Sequence, residues 1–225
     1  MWGTEKAVSE PLTPRRARNA ARTRADILDA ATGEFGRAGF TGARMDAIAA
    51  RTRTTKRMIY YYFGSKEQLF TAVLERAYSE IRRSEQVLDI DELGPIGAVR
   101  RLAELTFDHH ETHPDFIRLV SIENIHEAEH LGAVAKELVE LNSPVLAVIQ
   151  RILDTGRGQG LFRTDVDAVS LHALISSFCF FRVANRHTFG TLFGVDLLDA
   201  DERDQHRTML GDMVVAYLTA PGTPP

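Results

Sequence analysis

The apolar residues in the first third of the chain recur at spacings of three and four, the period of an amphipathic helix. Ile27, Ala31, Phe35 and Ala38 share one helical face, Gly39 supplies a stop signal, and Phe40 follows as a core plug, which predicts a first helix from about Arg22. Met45, Ile48 and Ala49 fit a short second helix. After a turn at Arg51 to Arg53, Thr54 or Thr55 can cap a third helix whose inner side carries Met58, Ile59 and Phe63. Ser65-Lys66-Glu67-Gln68 matches the S-x-x-Q capping box and opens a fourth helix, with Leu69, Phe70, Val73, Leu74, Ala77 and Ile81 on its apolar side.

Beyond residue 85 the helical period continues, with no internal repeat and no strand-like alternation. Gly94-Pro95 starts a helix running towards His109 and His110, and His113-Pro114 starts another carrying Phe116, Ile117, Leu119, Val120 and Ile122. Asn142-Ser143-Pro144 reads as the cap and first turn of the next, which Gly156 to Gly160 ends. The segment from Asp167 to about Asn185 is apolar on several sides, through Leu171, Leu174, Ile175, Phe178, Phe180 and Phe181, more than a monomer of this size readily covers. The last helix pairs Met209 with Leu210, Met213 with Val214 and Tyr217 with Leu218 in a continuous stripe. These last two elements are the expected interface of a homodimer.

The 225 residues, 44% of them hydrophobic, suffice for one or two packed domains. Cys179 stands alone in an apolar run, which excludes an internal disulfide framework and fits a cytoplasmic protein. No apolar run approaches the roughly 20 residues needed to span a bilayer, so no membrane is expected. The net charge of -4 conceals a split: residues 1–76 hold 14 Lys and Arg against 8 Asp and Glu, a net of +6, and the remainder carries -10. A basic head on an acidic body directs a polyanion to one end of the molecule. Residues 1–21, with Pro11, Pro14, Arg15, Arg16 and Arg18, read as a flexible basic arm.

A helix-turn-helix lays its second helix in the major groove of DNA, N-terminal side chains towards the base edges, while the first crosses the backbone. Thr55, Lys56 and Arg57 stand at the entry of such a helix, residues 55–62, and Arg or Lys can donate to O6 and N7 of guanine. Tyr60, Tyr61 and Tyr62 are consecutive, so a helix cannot bury all three, and at least one phenol faces a phosphate. Lys66 lies at a helix N-terminus, where the free amides already favour an anion.

Residues from about 22 to 78 resemble the DNA-binding domain of the tetracycline-repressor (TetR/AcrR) family. Gly39-Phe40, Ile48-Ala49, Thr55, Ile59-Tyr60-Tyr61, Phe63 and Ser65-Lys66-Glu67-Gln68-Leu69 fall at that family's spacing. The resemblance implies an all-α regulator binding a palindromic double-stranded operator as a homodimer. A three-helix DNA-binding domain at 22–70 is expected, with a C-terminal helical bundle at 71–220 for dimerisation and for a small-molecule effector. Arg53 stands where the family has glycine in the turn, Arg57 where it has a small residue, and Ala43 where it often has a hydroxyl cap. Arg57 then adds a base contact, and Arg44 a phosphate contact.

Phe107, His110, Phe116, Glu123, Phe178, Phe181 and Arg182 are the candidate lining of an apolar effector pocket with a few polar groups. The segments from His113 to Leu119 and from Phe181 to His187 are similar to those of family members that control pyrimidine or nicotinate breakdown. That likeness implies a small planar nitrogenous or carboxylated ring as effector, with Arg182 as its counter-ion. No catalytic group and no cofactor is expected. A rival reading comes from His126-Glu127-Ala128-Glu129-His130, which matches the H-E-x-x-H zinc motif. It would make Glu123, His126 and His130 a regulatory metal site or, more remotely, the chain a zinc hydrolase.

Overall fold

The structure, a computed structural model, describes residues 14–85, 90–132 and 135–221, and over them the chain is helix and loop alone. It divides into two compact units, Met1–Leu69 and Phe70–Pro225.

The first unit holds α1 (Pro14–Gly42), α2 (Met45–Arg51) and α3 (Lys56–Phe63). Helix α1 begins at Pro14 rather than near Arg22, because residues 15–22 are mainly Arg and Ala, strong helix formers that need no apolar face, and proline suits a first turn. The rest of the expected arm, residues 1–13, lies outside the described residues. Gly39 interrupts α1 with φ 69° and ψ 174°. Behind that break Phe40 stacks on Phe35, ring centroids 6.2 Å apart. Ile27, Ala31 and Phe35 of α1 form the core with Ile48 of α2 and Ile59 and Phe63 of α3. Met58, expected inside, is 37% exposed because Ile59 and Phe63, four apart, already define the inner edge of this short helix.

Among the described residues of this unit one acid is buried. Glu34 has no exposed surface and accepts two bonds from Arg37 at 3.0 Å and one from the backbone N–H of Arg44 at 3.3 Å, with Arg51 at 3.7 Å. Burial alone would raise its pKa, but these hydrogen bonds and the Arg37 and Arg51 charges reverse the sign and hold the carboxyl below its ordinary value.

Helix α4 (Lys66–Glu85) starts in the first unit and continues into the second, which adds α5 (Ile90–Thr112), α6 (Pro114–Ile125), α7 (Glu129–Gly132), α8 (Ala135–Gly158), α9 (Ala168–Ala184), α10 (Arg186–Phe193) and α11 (Ala200–Thr219). Helix α5 is central and packs on α8, α9 and α11. Val99, Leu102 and Phe107 meet Ile149 and Leu153, Leu171 and Ile175, and Leu210, Val214 and Leu218 in one core. A charged seam fastens the same helices. Asp108 of α5 takes Arg203 at 2.7 Å and Arg207 at 3.1 Å from α11, while Glu111 takes Arg203 at 3.0 Å and Arg182 of α9 at 3.3 Å.

Two expectations change here. Asn142-Ser143-Pro144 does not start a helix, since α8 runs through it from Ala135. Proline leaves the carbonyl of Glu140 without its usual amide, and the Ser143 hydroxyl donates to that oxygen at 3.0 Å. Helices α9 and α11 are each two-sided. Leu171, Ile175 and Cys179 face inward with Leu210, Val214 and Leu218, whereas Leu174, Phe181, Met209, Met213 and Tyr217 are 39–48% exposed. No single helix among the described residues is long and apolar enough to cross a membrane.

The junction of α5 and α6 gathers imidazoles. His109 stacks on His113 at 4.1 Å, and burial first, then the neighbouring charges of His113, His110 and Arg82, pushes its pKa down to about 3. Burial likewise pushes His110 and His172 down to about 4. The unfolded chain binds these protons near 6.5, so their contribution to stability is complete above that pH and is lost as pH falls from 6.5 towards 4. Thermal unfolding between pH 8 and pH 4 should show Tm dropping through that window, and His109→Leu should flatten the drop. Equal acid slopes for the two proteins would contradict this account.

Candidate nucleic-acid interface and ligand cavity

The turn between α2 and α3 ends at Thr55, the N-cap of α3, whose hydroxyl accepts from Met58 N–H at 3.3 Å. With Ile59 and Phe63 inward, the opposite face of α3 presents Arg57, Tyr60 and Tyr61, the last 77% exposed. Tyr62 is half-buried and its ring meets Tyr61 edge to face at 5.5 Å. Lys56 reaches back to Asp46 of α2 at 3.1 Å, an exposed pair that a phosphate can displace at little cost. Arg44 is the N-cap of α2, exposed and without a side-chain cap bond. Lys66 is drawn towards the end of α1, donating to Thr41 O at 3.3 Å with its ammonium 5.0 Å from the Phe40 ring centroid. Sequence reasoning missed Arg24 as a support of this surface. It donates to Tyr62 O at 3.3 Å and lies 4.3 Å from the Phe63 ring, holding the last turn of α3.

The second unit contains a cavity of about 610 Å3 built from α4, α5, α6 and α9. Each long edge is a stripe at spacing four: Tyr78 and Arg82 from α4, Phe116, Val120 and Asn124 from α6, and His172, Ser176 and Phe180 from α9. His110 of α5 completes it, its Nδ1 2.8 Å from Thr106 O. Tyr78 meets Phe116 edge to face at 5.3 Å, and burial pushes its phenol up from the ordinary value, so it stays protonated. Arg82 is 5% exposed, a cation set among aromatic walls.

Of the expected pocket residues only His110 and Phe116 line this cavity. Phe107 is core, roofed by the Arg182 guanidinium at 4.0 Å. Arg182 itself is spent on Glu111 and on Leu197 O at 2.7 Å, so it is no counter-ion here. Phe178 is half-buried against the main core, and Phe181 faces outward beside Phe189 at 6.0 Å. Glu123 is buried but points to α7, accepting from His130 Nδ1 at 2.8 Å and from the backbone N–H groups of His130 and Leu131, both at 3.2 Å. The stripes at spacing four were visible in the sequence, and pairing them across helices required the fold.

The zinc reading fails on geometry. A zinc helix needs both histidines on one continuous face, and here α6 ends at Ile125, Glu127 and Ala128 take φ of 54° and 61°, and a new helix begins at Glu129. Among the described residues no group of His, Cys, Asp and Glu gathers in a metal-holding arrangement.

A basic helix-turn-helix together with a helical domain that holds a cavity between its helices defines a class, and sequence comparison identifies it. A family model described as "Bacterial regulatory proteins, tetR family" matches residues 27–73, and one described as "Tetracyclin repressor-like, C-terminal domain" matches residues 95–214. The chain belongs to the TetR family of DNA-binding transcriptional regulators. Among its relatives, the HTH-type transcriptional repressor NicS of Pseudomonas putida is 36% identical over 203 residues, 90% of this chain and 95% of that protein. The repressor SCO4008 of Streptomyces coelicolor is 38% identical over 130 residues, 54% of this chain and 64% of that one. A tetR-family regulatory protein from Rhodococcus RHA1, 16% identical, has the same fold with a TM-score of 0.68 over 88% of this chain and 98% of its own.

The Thr55 cap is the local contact on which the start of α3 depends. Thr55→Ala should destabilise the first unit by about 1 kcal/mol, whereas Thr55→Ser, which keeps the acceptor oxygen, should leave its stability nearly unchanged, as measured by chemical unfolding of the full chain. Identical losses for the two variants would show that the hydroxyl is not the stabilising group.

Proposed function

We propose that the chain is a homodimeric repressor that releases a palindromic operator when a small, flat, acidic ring enters the cavity of the second unit. The observation that carries this reading is the buried Arg82 among Tyr78, Phe116 and Phe180 in a space of ligand size. An aromatic cleft with one buried cation suits a ring with a carboxylate or similar group, and Arg82 takes the part that the sequence suggested for Arg182. The outward stripes of α9 and α11, with Leu174, Met209, Met213 and Tyr217, pair with those of a second copy about a two-fold axis.

Two recognition helices then enter successive major grooves. Arg57 and Lys56 read base edges with Thr55, while Arg44, the exposed tyrosines and Lys66 meet phosphates. Helix α4 carries both Lys66 and the cavity residues Tyr78 and Arg82, so a ligand that prefers one setting of α4 also selects among settings of the reader. Its affinities for the two settings must differ, since equal affinities shift nothing.

Selection of bound duplexes from a random pool tests the reader: a palindromic consensus is expected, and a single half-site would overturn the dimer model. On that consensus, Arg57→Ala should weaken binding by roughly 1–3 kcal/mol and relax the preference at one base pair. Unchanged affinity and preference would remove Arg57 from base reading. Leu174→Glu with Met213→Glu should give a folded monomer in sedimentation velocity, and a dimer that survives both charges would place the interface elsewhere.

A further inference from the structure

His110 has a fixed chemical polarity. Its Nδ1 lies 2.8 Å from Thr106 O, and a carbonyl oxygen can only accept, so Nδ1 carries the hydrogen. In a neutral imidazole Nε2 is then a bare acceptor. The residue is 5% exposed and lines the cavity, and no protein group among the described residues meets Nε2. Unlike both nitrogens of His109, which are sealed and unpartnered, Nε2 opens onto the cavity.

The groups facing His110 keep it neutral. Burial is the largest cause, and the charge of Arg82 on α4, with His172 on α9 and His113 at the start of α6, opposes a second proton. Phe116 and the imidazole meet edge to face with ring centroids 5.8 Å apart, and among the described residues no carboxylate lines the cavity to favour an imidazolium. One wall therefore carries a buried guanidinium, and another offers a lone pair. A carboxylate placed against Nε2 would set acceptor against acceptor.

We propose that His110 sets effector specificity by accepting a hydrogen bond from an N–H or O–H on the ligand ring, so that the cavity takes flat acids bearing such a donor and rejects acids of similar size without one. This rests on the cavity being the effector site, and it adds a second recognition element to the acid group at Arg82.

The test is calorimetric titration of the full chain at pH 7.5 with 3- and 4-hydroxybenzoate, the methyl ether of each, and benzoate. The ether keeps the oxygen and removes the donor. At least one hydroxy acid should bind roughly tenfold more tightly than its ether, the worth of one buried hydrogen bond. In His110→Phe that ratio should collapse to about one, and in His110→Gln, whose side-chain carbonyl still accepts, it should survive in part. Equal binding of phenol and ether by the native chain, or a ratio preserved in His110→Phe, overturns the role of His110. Ser176→Trp, which fills the cavity, separates the two readings. If none of the acids binds, or if binding survives Ser176→Trp, the effector site falls and this inference with it. If the Trp variant loses binding while phenol and ether bind alike, only His110 falls.

Discussion

The head of the protein is held in register by one buried carboxylate. Helix α2 lacks a capping side chain of its own, because its N-cap is Arg44 and no side chain there accepts a backbone amide. Glu34, ten residues earlier on α1, instead accepts from the N–H of the N-cap residue Arg44 itself and reaches Arg51 at the other end of the same helix. A short helix is thereby gripped at both ends by one residue. Charge-assisted bonds of this kind are each worth about 1.5–3 kcal/mol, enough to keep the acid ionised against its own burial. With α2 fixed, Ile48 and Ile59 fix α3, and the outward face of α3 follows from helical geometry. Glu34 thus secures the start of α2 through its backbone, while the Arg44 side chain stays exposed.

The body is organised by α5, which joins an apolar core on one side to a charged seam on the other. Arg182 is the costly member of that seam, 3% exposed and offset by Glu111, the Leu197 carbonyl and the face of Phe107. The seam ties the loop around Leu197 and the start of α11 to α5, so the outward stripes of α9 and α11 stand on a braced scaffold. Both helices are consequently two-sided, and the apolar excess read from the sequence divides between core and surface.

Features governed by neighbours in sequence were legible before the fold was known. Of the two threonines offered, Thr55 caps α3, and Ser65 caps α4 as expected, each accepting from a backbone amide three residues on; Asp167 does the same for α9, a cap not anticipated from the sequence. The helix-turn-helix was legible for the same reason. Asn142-Ser143-Pro144 misled because it carries the residues of a helix start, and only the Ser143 bond to Glu140 O shows how the helix absorbs the proline. The cavity of the second unit was the least legible part. Arg182 sits in the apolar run 178–184, whereas Arg82 lies among Glu80, Arg83, Ser84 and Glu85, so the sequence drew attention to the arginine that braces a core and away from the one that lines a cavity. His126 and His130 misled in the opposite way, since their spacing matches a helix that the left-handed residues Glu127 and Ala128 interrupt.

Gly39 and Gly94 share one backbone conformation, φ 69° and ψ 174° in the first, φ 63° and ψ 170° in the second, and each changes the direction of a helix. Nothing lies within 4 Å of the place where a side chain would begin at either position. The demand for glycine is therefore one of handedness and not of room. Inverting both angles gives values that ordinary L residues adopt in extended chain, so a mirror-image alanine built in by chemical synthesis would be at ease in both bends, where natural alanine is strained. These two corners are places where the chain is written for the opposite chirality, and of the genetically encoded residues the achiral one meets that demand most cheaply.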